Sequence, residues 1–217
     1  MSLLDCFIGL ALSLMLVSPL LKTSAELAAK QIEYEKVQSL TAEAERALEL
    51  IGRAIRMAGF RNTQSLSASS KKISSSAPFI SLQKGKGFRG SDSFLIRHEL
   101  SDGVDLDCVG NVLTKERTKG HWAQQGFLVE RQATAPKGFK VNGGSLICQS
   151  LDRHGRMQNT TVMNGVNQLS IDESSTLLGN ANRSNSGSRL FVVKLQMTDG
   201  KALQREFSRT FATRNPQ

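Results

Sequence analysis

Residues of the types that carry out chemistry are thinly spread along this sequence. Residues 85–90 read Gly-Lys-Gly-Phe-Arg-Gly and match the dinucleotide fingerprint, which requires a helix directly afterwards so that the helix N-terminus can bind phosphate. The next residues, 91–96, are instead typical of a strand. We therefore interpret the motif as a flexible basic loop.

Histidines and carboxylates are also poorly arranged for catalysis or metal binding. No two histidines have the spacing of a zinc site; they are His98, His121 and His154. Carboxylates at positions 102, 105 and 107 could bind Ca²⁺, but this run lacks the terminal glutamate of an EF-hand, and we expect a solvated turn. No serine lies in a nucleophile elbow. We expect no enzymatic activity, no cofactor and no metal site.

The three cysteines are too few for a disulfide scaffold. Cys6 lies in an apolar N-terminal segment, whereas Cys108 and Cys148 lie in strand-like contexts. If the distal part of the chain is outside the cytoplasm, Cys108–Cys148 is the only pairing available within it, and closing that loop would stabilise the fold by about 4 kcal/mol. Two buried free thiols are the alternative.

The first sixty residues are predicted to form one continuous helix, with residues 1–21 almost free of charge and residues 22–60 amphipathic. Apolar residues in the second of these segments recur at the spacing of one helix face; they are Val37, Leu40, Ala44, Ala47, Leu48, Ile51, Ile55 and Ala58. Gly59 follows, where a left-handed residue would end the helix. We expect Leu48, Ile51, Ile55, Ala58 and Gly59 to pack the helix against the distal domain.

The apolar segment 3–21 is long enough to span a bilayer. A cleaved signal peptide is the competing interpretation, but no basic residue precedes the apolar run and no small-residue cleavage site precedes Lys22. We interpret the segment as a retained membrane helix. Pro19 should kink it, because proline removes one backbone donor and its ring crowds the preceding turn.

The remaining residues, 61–217, are predicted to form one β-rich globular domain. They carry a charge of +10 within the chain's net +9, because residues 1–60 contain six Lys+Arg and seven Asp+Glu. Alternating short apolar runs predict strands at 79–83, 93–99, 126–132, 145–150, 157–163, 166–172, 190–198 and 203–213. Asp199-Gly200 should form the turn of the last hairpin. The polar segments 62–78 and 174–188 are expected to be loops, the second one mobile. The predicted fold class is α+β, with a long N-terminal helix packed against a C-terminal antiparallel sheet.

Several stretches together resemble one family, the PilW-type minor pilins of the type IV pilus. Met1-Ser-Leu-Leu-Asp5, followed by an apolar run, looks like the mature N-terminus of a type IV pilin, and residues 46–60, Arg-Ala-Leu-Glu-Leu-Ile-Gly-Arg-Ala-Ile-Arg-Met-Ala-Gly-Phe, resemble the helix end of PilW-type chains. Stretches at 107–110, 146–148, 164–169 and 211–215 extend the resemblance along the whole chain. The family usually has phenylalanine at the first position and glutamate at the fifth, so this chain differs at both.

The resemblance implies a function and a set of partners. Met1 would be the first mature residue after removal of a leader, and Asp5 would pair with the α-amino group of an adjacent subunit. The chain would rest in the bacterial inner membrane with its distal domain in the periplasm, and would then enter an extracellular pilus. Its partners would be other minor pilins, the major pilin and a large tip adhesin.

Three alternatives remain open. Ser2 and Asp5 have the spacing of a capping box, which would give Asp5 a local role. A minor pseudopilin of the type II secretion system, of the GspJ kind, shares the architecture. A membrane-tethered DNA-binding module is the third. Its basic residues would be Lys71, Lys72, Lys84, Lys86, Arg89, Arg205 and Arg209, but a single Trp and a single Tyr leave little for base stacking. We therefore do not expect nucleic acid as a partner.

Overall fold

The computed structural model describes residues 3–62, 78–101, 103–118, 122–132, 143–174, 189–201 and 203–214. For residues 3–6, 10, 14 and 16 it describes the backbone alone. The predicted loops at 62–78 and 174–188 therefore lie almost entirely outside the described residues, as do Met1 and His121.

The described residues form one α-helix and nine strands. They are α1 (Leu3–Met57), β1 (Ile80–Gln83), β2 (Ser93–Glu99), β3 (Asp105–Leu106), β4 (Val112–Leu113), β5 (Trp122–Arg131), β6 (Gly144–Leu151), β7 (Met157–Ser174), β8 (Leu190–Thr198) and β9 (Gln204–Ala212).

The long helix and the antiparallel sheet confirm the predicted α+β class. The chain forms two compact units, Met1–Ala42 and Glu43–Gln217, so the last segment of α1 belongs to the same unit as the sheet. The domain boundary predicted after residue 60 lies close to the end of α1 and differs from the division between these two units, which falls inside the helix. Each unit is described by itself below.

The C-terminal segment of α1 has the apolar face that its three- and four-residue spacing predicts. Leu48, Ile51, Ile55 and Ala58 are buried, and Gly59 is buried as well. Gly59 has φ 72° and its N–H donates to the Arg97 carbonyl on β2 at 3.0 Å. The glycine thus both ends the helix and ties its end to the sheet, as expected for a left-handed C-terminal residue.

Pro19 lies inside α1, which continues without interruption from Leu3 to Met57. Four residues later the Thr23 hydroxyl donates to the Leu20 carbonyl at 3.0 Å, so a side chain bonds to the backbone in the turn that follows the proline. Proline removes one helical hydrogen bond, but here it does not end the helix. A kink at this residue stays a prediction.

Seven strands form one antiparallel sheet in the order β1-β2-β5-β6-β7-β8-β9, and β3 pairs with β4 separately. The hairpin between β8 and β9 turns at Gly200, which has φ 78°, as the Asp199-Gly200 pair predicts. The two strands predicted at 157–163 and 166–172 are in fact one strand, β7. Gly165 (φ 78°) lies inside it, and the register shifts nearby. A bulged glycine in a long strand mimics a turn in sequence.

The core lies between the sheet and the last segment of α1. Phe94 and Phe127 stack at 5.5 Å on neighbouring strands, and both are buried. At Gly52 the helix approaches β9 so closely that an added Cβ would lie 2.2 Å from the Phe211 ring. Glycine is therefore required at this position of the apolar face unless the ring moves.

The motif at 85–90, predicted as a flexible basic loop, lies in the connection between β1 and β2, and its flexibility stays a prediction. This connection, residues 84–92, covers the edge of β7 in the part of that strand that extends past Val166, where the pairing with β6 ends. The Asp92 N–H donates to the Leu169 carbonyl at 2.8 Å, and the buried Asp92 carboxylate accepts from the Ile171 N–H at 2.8 Å and from the Lys84 ammonium at 3.0 Å. A 3₁₀ turn at Phe88–Gly90 leads into β2, so no helix N-terminus is available for phosphate.

Candidate functional site

The N-terminal segment of α1 exposes a continuous apolar surface. An 18-residue window in the helix Phe7–Met57 has a mean hydropathy of 1.6, and none of it is buried. Every apolar side chain described between residues 7 and 21 is exposed, the most prominent being Met15 at 75% and Leu20 at 68%. By length and composition, this helix could cross a membrane.

The predicted assembly residues, Met1 and Asp5, belong to the N-terminal end of the chain. Asp5 lies within α1, where its backbone alone is described, and Met1 lies outside the described residues. Both the pairing of Asp5 with another chain and its local capping role therefore remain predictions.

The cysteines of the distal unit form the predicted disulfide. Cys108 and Cys148 are bonded with their Cα atoms 6.0 Å apart, and both are buried. Cys148 lies on β6, as expected, but Cys108 lies in the turn after β3, so the prediction of a strand context for Cys108 is wrong. The bond fastens the segment between β2 and β5 to the middle of the sheet.

Asp105 and Asp107, predicted to lie in a solvated turn, are buried, which corrects that prediction for these two carboxylates; Asp102 lies outside the described residues. Asp105 accepts from the Ser101 hydroxyl at 2.8 Å. Asp107 accepts from the N–H groups of Val109 and Asn111 at 3.0 and 2.8 Å and lies 3.7 Å from Arg117. These protein donors stabilise the buried carboxylates, as burial requires. Among the residues that the structure describes, no group of three His, Cys, Asp or Glu could hold a metal ion.

A cavity of about 190 Å³ lies beside this segment, within the distal unit. One wall is formed by Leu50, Arg53, Ala54 and Met57 on α1, and the other by residues 104–108. Gln125 on β5 completes the lining. Sequence reasoning missed this cavity. Its only sequence signal is the alternation Val-Asp-Leu-Asp at 104–107, and its walls come from distant regions of the chain.

His98 is a further buried titratable group next to this region. Its Nδ1 lies 3.0 Å from the Glu99 carbonyl, and its Nε2 lies 3.0 Å from the Gln125 amide nitrogen. A carbonyl oxygen can only accept, so Nδ1 carries the hydrogen and Nε2 accepts from Gln125. Burial lowers the pKa of His98 below its usual 6.5, against the opposing effects of the Glu99 carbonyl and Asp105.

The basic residues considered for DNA binding are partly neutralised by neighbours. Lys84 is 3.0 Å from Asp92 and 2.9 Å from Asp172, and Arg209 is 3.9 Å from Glu49. Lys71 and Lys72 lie outside the described residues. Charges paired in this way attract phosphate less strongly than free ones.

The fold and these surfaces define a class of protein: an α+β chain whose single long helix is buried in its C-terminal segment and exposes an apolar, membrane-length surface in its N-terminal segment. No protein-family model, curated protein or solved structure matches the chain significantly.

Proposed function

We propose that this chain is a minor pilin of the PilW type, a structural subunit of the priming or tip complex of a type IV pilus. The observation that carries the proposal is the division of α1: the apolar side chains described at 7–21 are exposed, while the apolar face at 44–58 is buried. An exposed apolar surface of this length needs lipid or other apolar helices around it.

Lipid and neighbouring apolar helices can cover the same surface one after the other. Before assembly the N-terminal segment of α1 would lie in the bacterial inner membrane, with the β-rich unit in the periplasm, where a disulfide is stable. On assembly the helix would move from lipid into a bundle of neighbouring pilin helices. The exchange is between two apolar media, so helix packing and polar contacts can decide which subunits associate.

The resemblance assigns the main polar contact to Asp5. A carboxylate in an apolar helix bundle is costly unless it is paired. The α-amino group of an adjacent subunit would supply the opposite charge, and removal of either partner would leave the other buried alone. Other minor pilins, the major pilin and a large tip adhesin are the proposed partners.

The test uses Asp5→Ala and Asp5→Glu in a host that lacks the native gene. We expect Asp5→Ala to stay in the inner membrane and to be absent from sheared filaments, with few pili on the cells. Asp5→Glu keeps the carboxylate and should restore incorporation. Immunoblots of the membrane and filament fractions measure both results. Normal incorporation of Asp5→Ala would contradict the proposal.

The same strains separate the pilin from the secretion pseudopilin. Loss of extracellular enzymes with unchanged piliation in the Asp5→Ala strain would assign the chain to a type II secretion system. Loss of pili with unchanged secretion would support the tip-complex function.

A further inference from the structure

The exposed apolar side chains of the β-rich unit are concentrated in one short segment. Among the described residues outside α1, five large apolar side chains are exposed, and four of them lie between residues 104 and 112: Val104, Leu106, Val109 and Val112. The fifth is Met157 on β7. We name the four side chains the 104–112 patch. Single exposed apolar residues are ordinary, but a cluster of them indicates an interaction surface.

The patch arises because this segment is built with its polar side chains inward. Val104 is 74% exposed and Leu106 is 42% exposed, whereas Asp105 and Asp107 between them are 8% and 4% exposed. A free-standing segment would gain stability by burying the apolar side chains and exposing the carboxylates. Here the opposite arrangement requires dedicated donors.

Those donors, together with a covalent bond, hold the segment in place. The Ser101 and Asn111 N–H groups donate to Asp105 and Asp107, respectively, at 2.5 and 2.8 Å. Arg117 donates to the Val112 and Leu151 carbonyls, each at 2.5 Å. The disulfide at Cys108 adds its link to β6. A surface held this firmly loses little conformational entropy on binding, which favours recognition.

The 190 Å³ cavity lies at the edge of the patch and sets the size of what can enter. An apolar space of about 150 Å³ holds a benzene ring, so one large apolar side chain fits here. Arg53 in the cavity wall is exposed and makes no ion pair with the described residues. A carboxylate next to the inserted side chain would find a cation there.

We propose that the 104–112 patch and its cavity dock another protein through a large apolar side chain with a carboxylate beside it. The side chain enters between α1 and residues 104–108, and the carboxylate pairs with Arg53. This inference rests on the patch, the cavity and Arg53, and it does not depend on the pilus assignment.

The test uses N-acetylphenylalanine as the probe, because it carries one aromatic ring and one carboxylate. The full chain, in lipid nanodiscs, is labelled with ¹³C on its Leu, Val and Met methyl groups and titrated while methyl spectra are recorded. We expect saturable shifts at Val104, Leu106, Leu50 and Met57, with a dissociation constant on the order of millimolar. N-acetylphenylalaninamide lacks the carboxylate and should bind about two- to fivefold more weakly, as an exposed ion pair allows.

Two substitutions at nearly equal exposure provide the matched control. Leu106→Glu should abolish the saturable shifts, and Met157→Glu, at a side chain 43% exposed outside the patch, should leave them unchanged. Val104→Glu at the most exposed position replaces Leu106→Glu if the latter fails to fold. Arg53→Gln should bind the acid and the amide equally.

Several results would overturn the proposal. They are the absence of saturable shifts, shifts unaffected by both glutamate substitutions in the patch, and an unchanged preference for the acid in Arg53→Gln. Shifts at the patch methyls that follow protein concentration without the probe would identify a second copy as the occupant and would also overturn it.

Discussion

The N-terminal and C-terminal segments of α1 share one backbone conformation but differ in what covers their apolar side chains. From 44 to 58 the apolar face is buried, with Ala44, Ile51 and Ala58 all fully inaccessible. From 7 to 21 each described apolar side chain is exposed, although this segment is the more apolar of the two. Hydrophobicity alone therefore does not decide burial here.

The difference lies in the pattern of residues. In the C-terminal segment a single face is apolar and the other carries residues such as Glu45, Glu49 and Arg53, all exposed, so only one direction can face a core. In the N-terminal segment apolar residues surround the helix, so no single face is selected. A helix that is apolar all round requires an apolar medium on all sides.

The largest effect is expected from charges placed in the N-terminal segment of the helix. Leu12→Arg combined with Met15→Arg should raise the free energy of membrane insertion by about 5–7 kcal/mol, since arginine at a helix centre costs about 2.5–3.5 kcal/mol. The chain should then leave the membrane fraction on alkaline carbonate washing. Trp122 fluorescence should show unchanged unfolding of the β-rich unit.

The control places the same two charges, at the same spacing, farther along the helix. Ser39 and Ala42 are both exposed, so Ser39→Arg with Ala42→Arg should leave the chain in the membrane fraction. Equal extraction of both double variants would contradict a membrane role for residues 7–21.

A smaller effect is expected from removing apolar atoms in each segment. Ile51→Ala should lower the free energy of unfolding by about 2–5 kcal/mol, because it leaves a cavity at a fully buried site. Leu12→Ala, at a side chain 58% exposed, should change it by less than about 0.5 kcal/mol. Urea denaturation of the full chain in detergent, followed by Trp122 fluorescence, measures both values. Similar losses in the two variants would show that the N-terminal segment is also packed within the chain.

The contrast also explains how much of the fold the sequence predicts. The buried face of α1 and its end at Gly59 follow from local spacing and from one left-handed glycine. The hairpin at Gly200 follows from turn chemistry. The covering of β7 by Asp92 could not be predicted, because its hydrogen-bond partners, Leu169 and Ile171, lie almost eighty residues away along the chain.

The candidate sites show the same limit. The Cys108–Cys148 pair was predicted because few alternatives existed, but the inverted burial of Asp105 and Asp107 was not. The alternation of polar and apolar residues was visible in the sequence. Whether the polar or the apolar side chains face inward depends on donors such as Ser101 and Asn111. The positions of these donors are set by the folded segment. For Asp5 the proposed partner lies in another chain, so this sequence alone cannot supply it.

The smallest effect is a pH dependence that should belong to the β-rich unit alone. Described residues 7–21 contain no titratable side chain, whereas His98 is fully buried and its pKa is lowered by desolvation. Below pH 6.5 the unfolded chain binds a proton that the folded chain does not, so the free energy of unfolding should fall between pH 7.5 and 5.5. The slope for one proton cannot exceed about 1.4 kcal/mol per pH unit. Urea denaturation across this range measures it.

Two histidine substitutions assign this effect to a residue. The pKa of Glu173 is lowered by its hydrogen bond to Arg189 and that of Asp172 by its hydrogen bond to Lys84; both carboxylates stabilise the fold above their ordinary pKa values and lose that contribution only below about pH 4.5. The range above pH 5 therefore isolates histidine.

His154→Gln, at an exposed position, should keep the full slope. His98→Leu should be less stable throughout, because the Gln125 amide loses its acceptor, but its stability should be nearly constant with pH. An unchanged slope in His98→Leu would show that another group binds the proton.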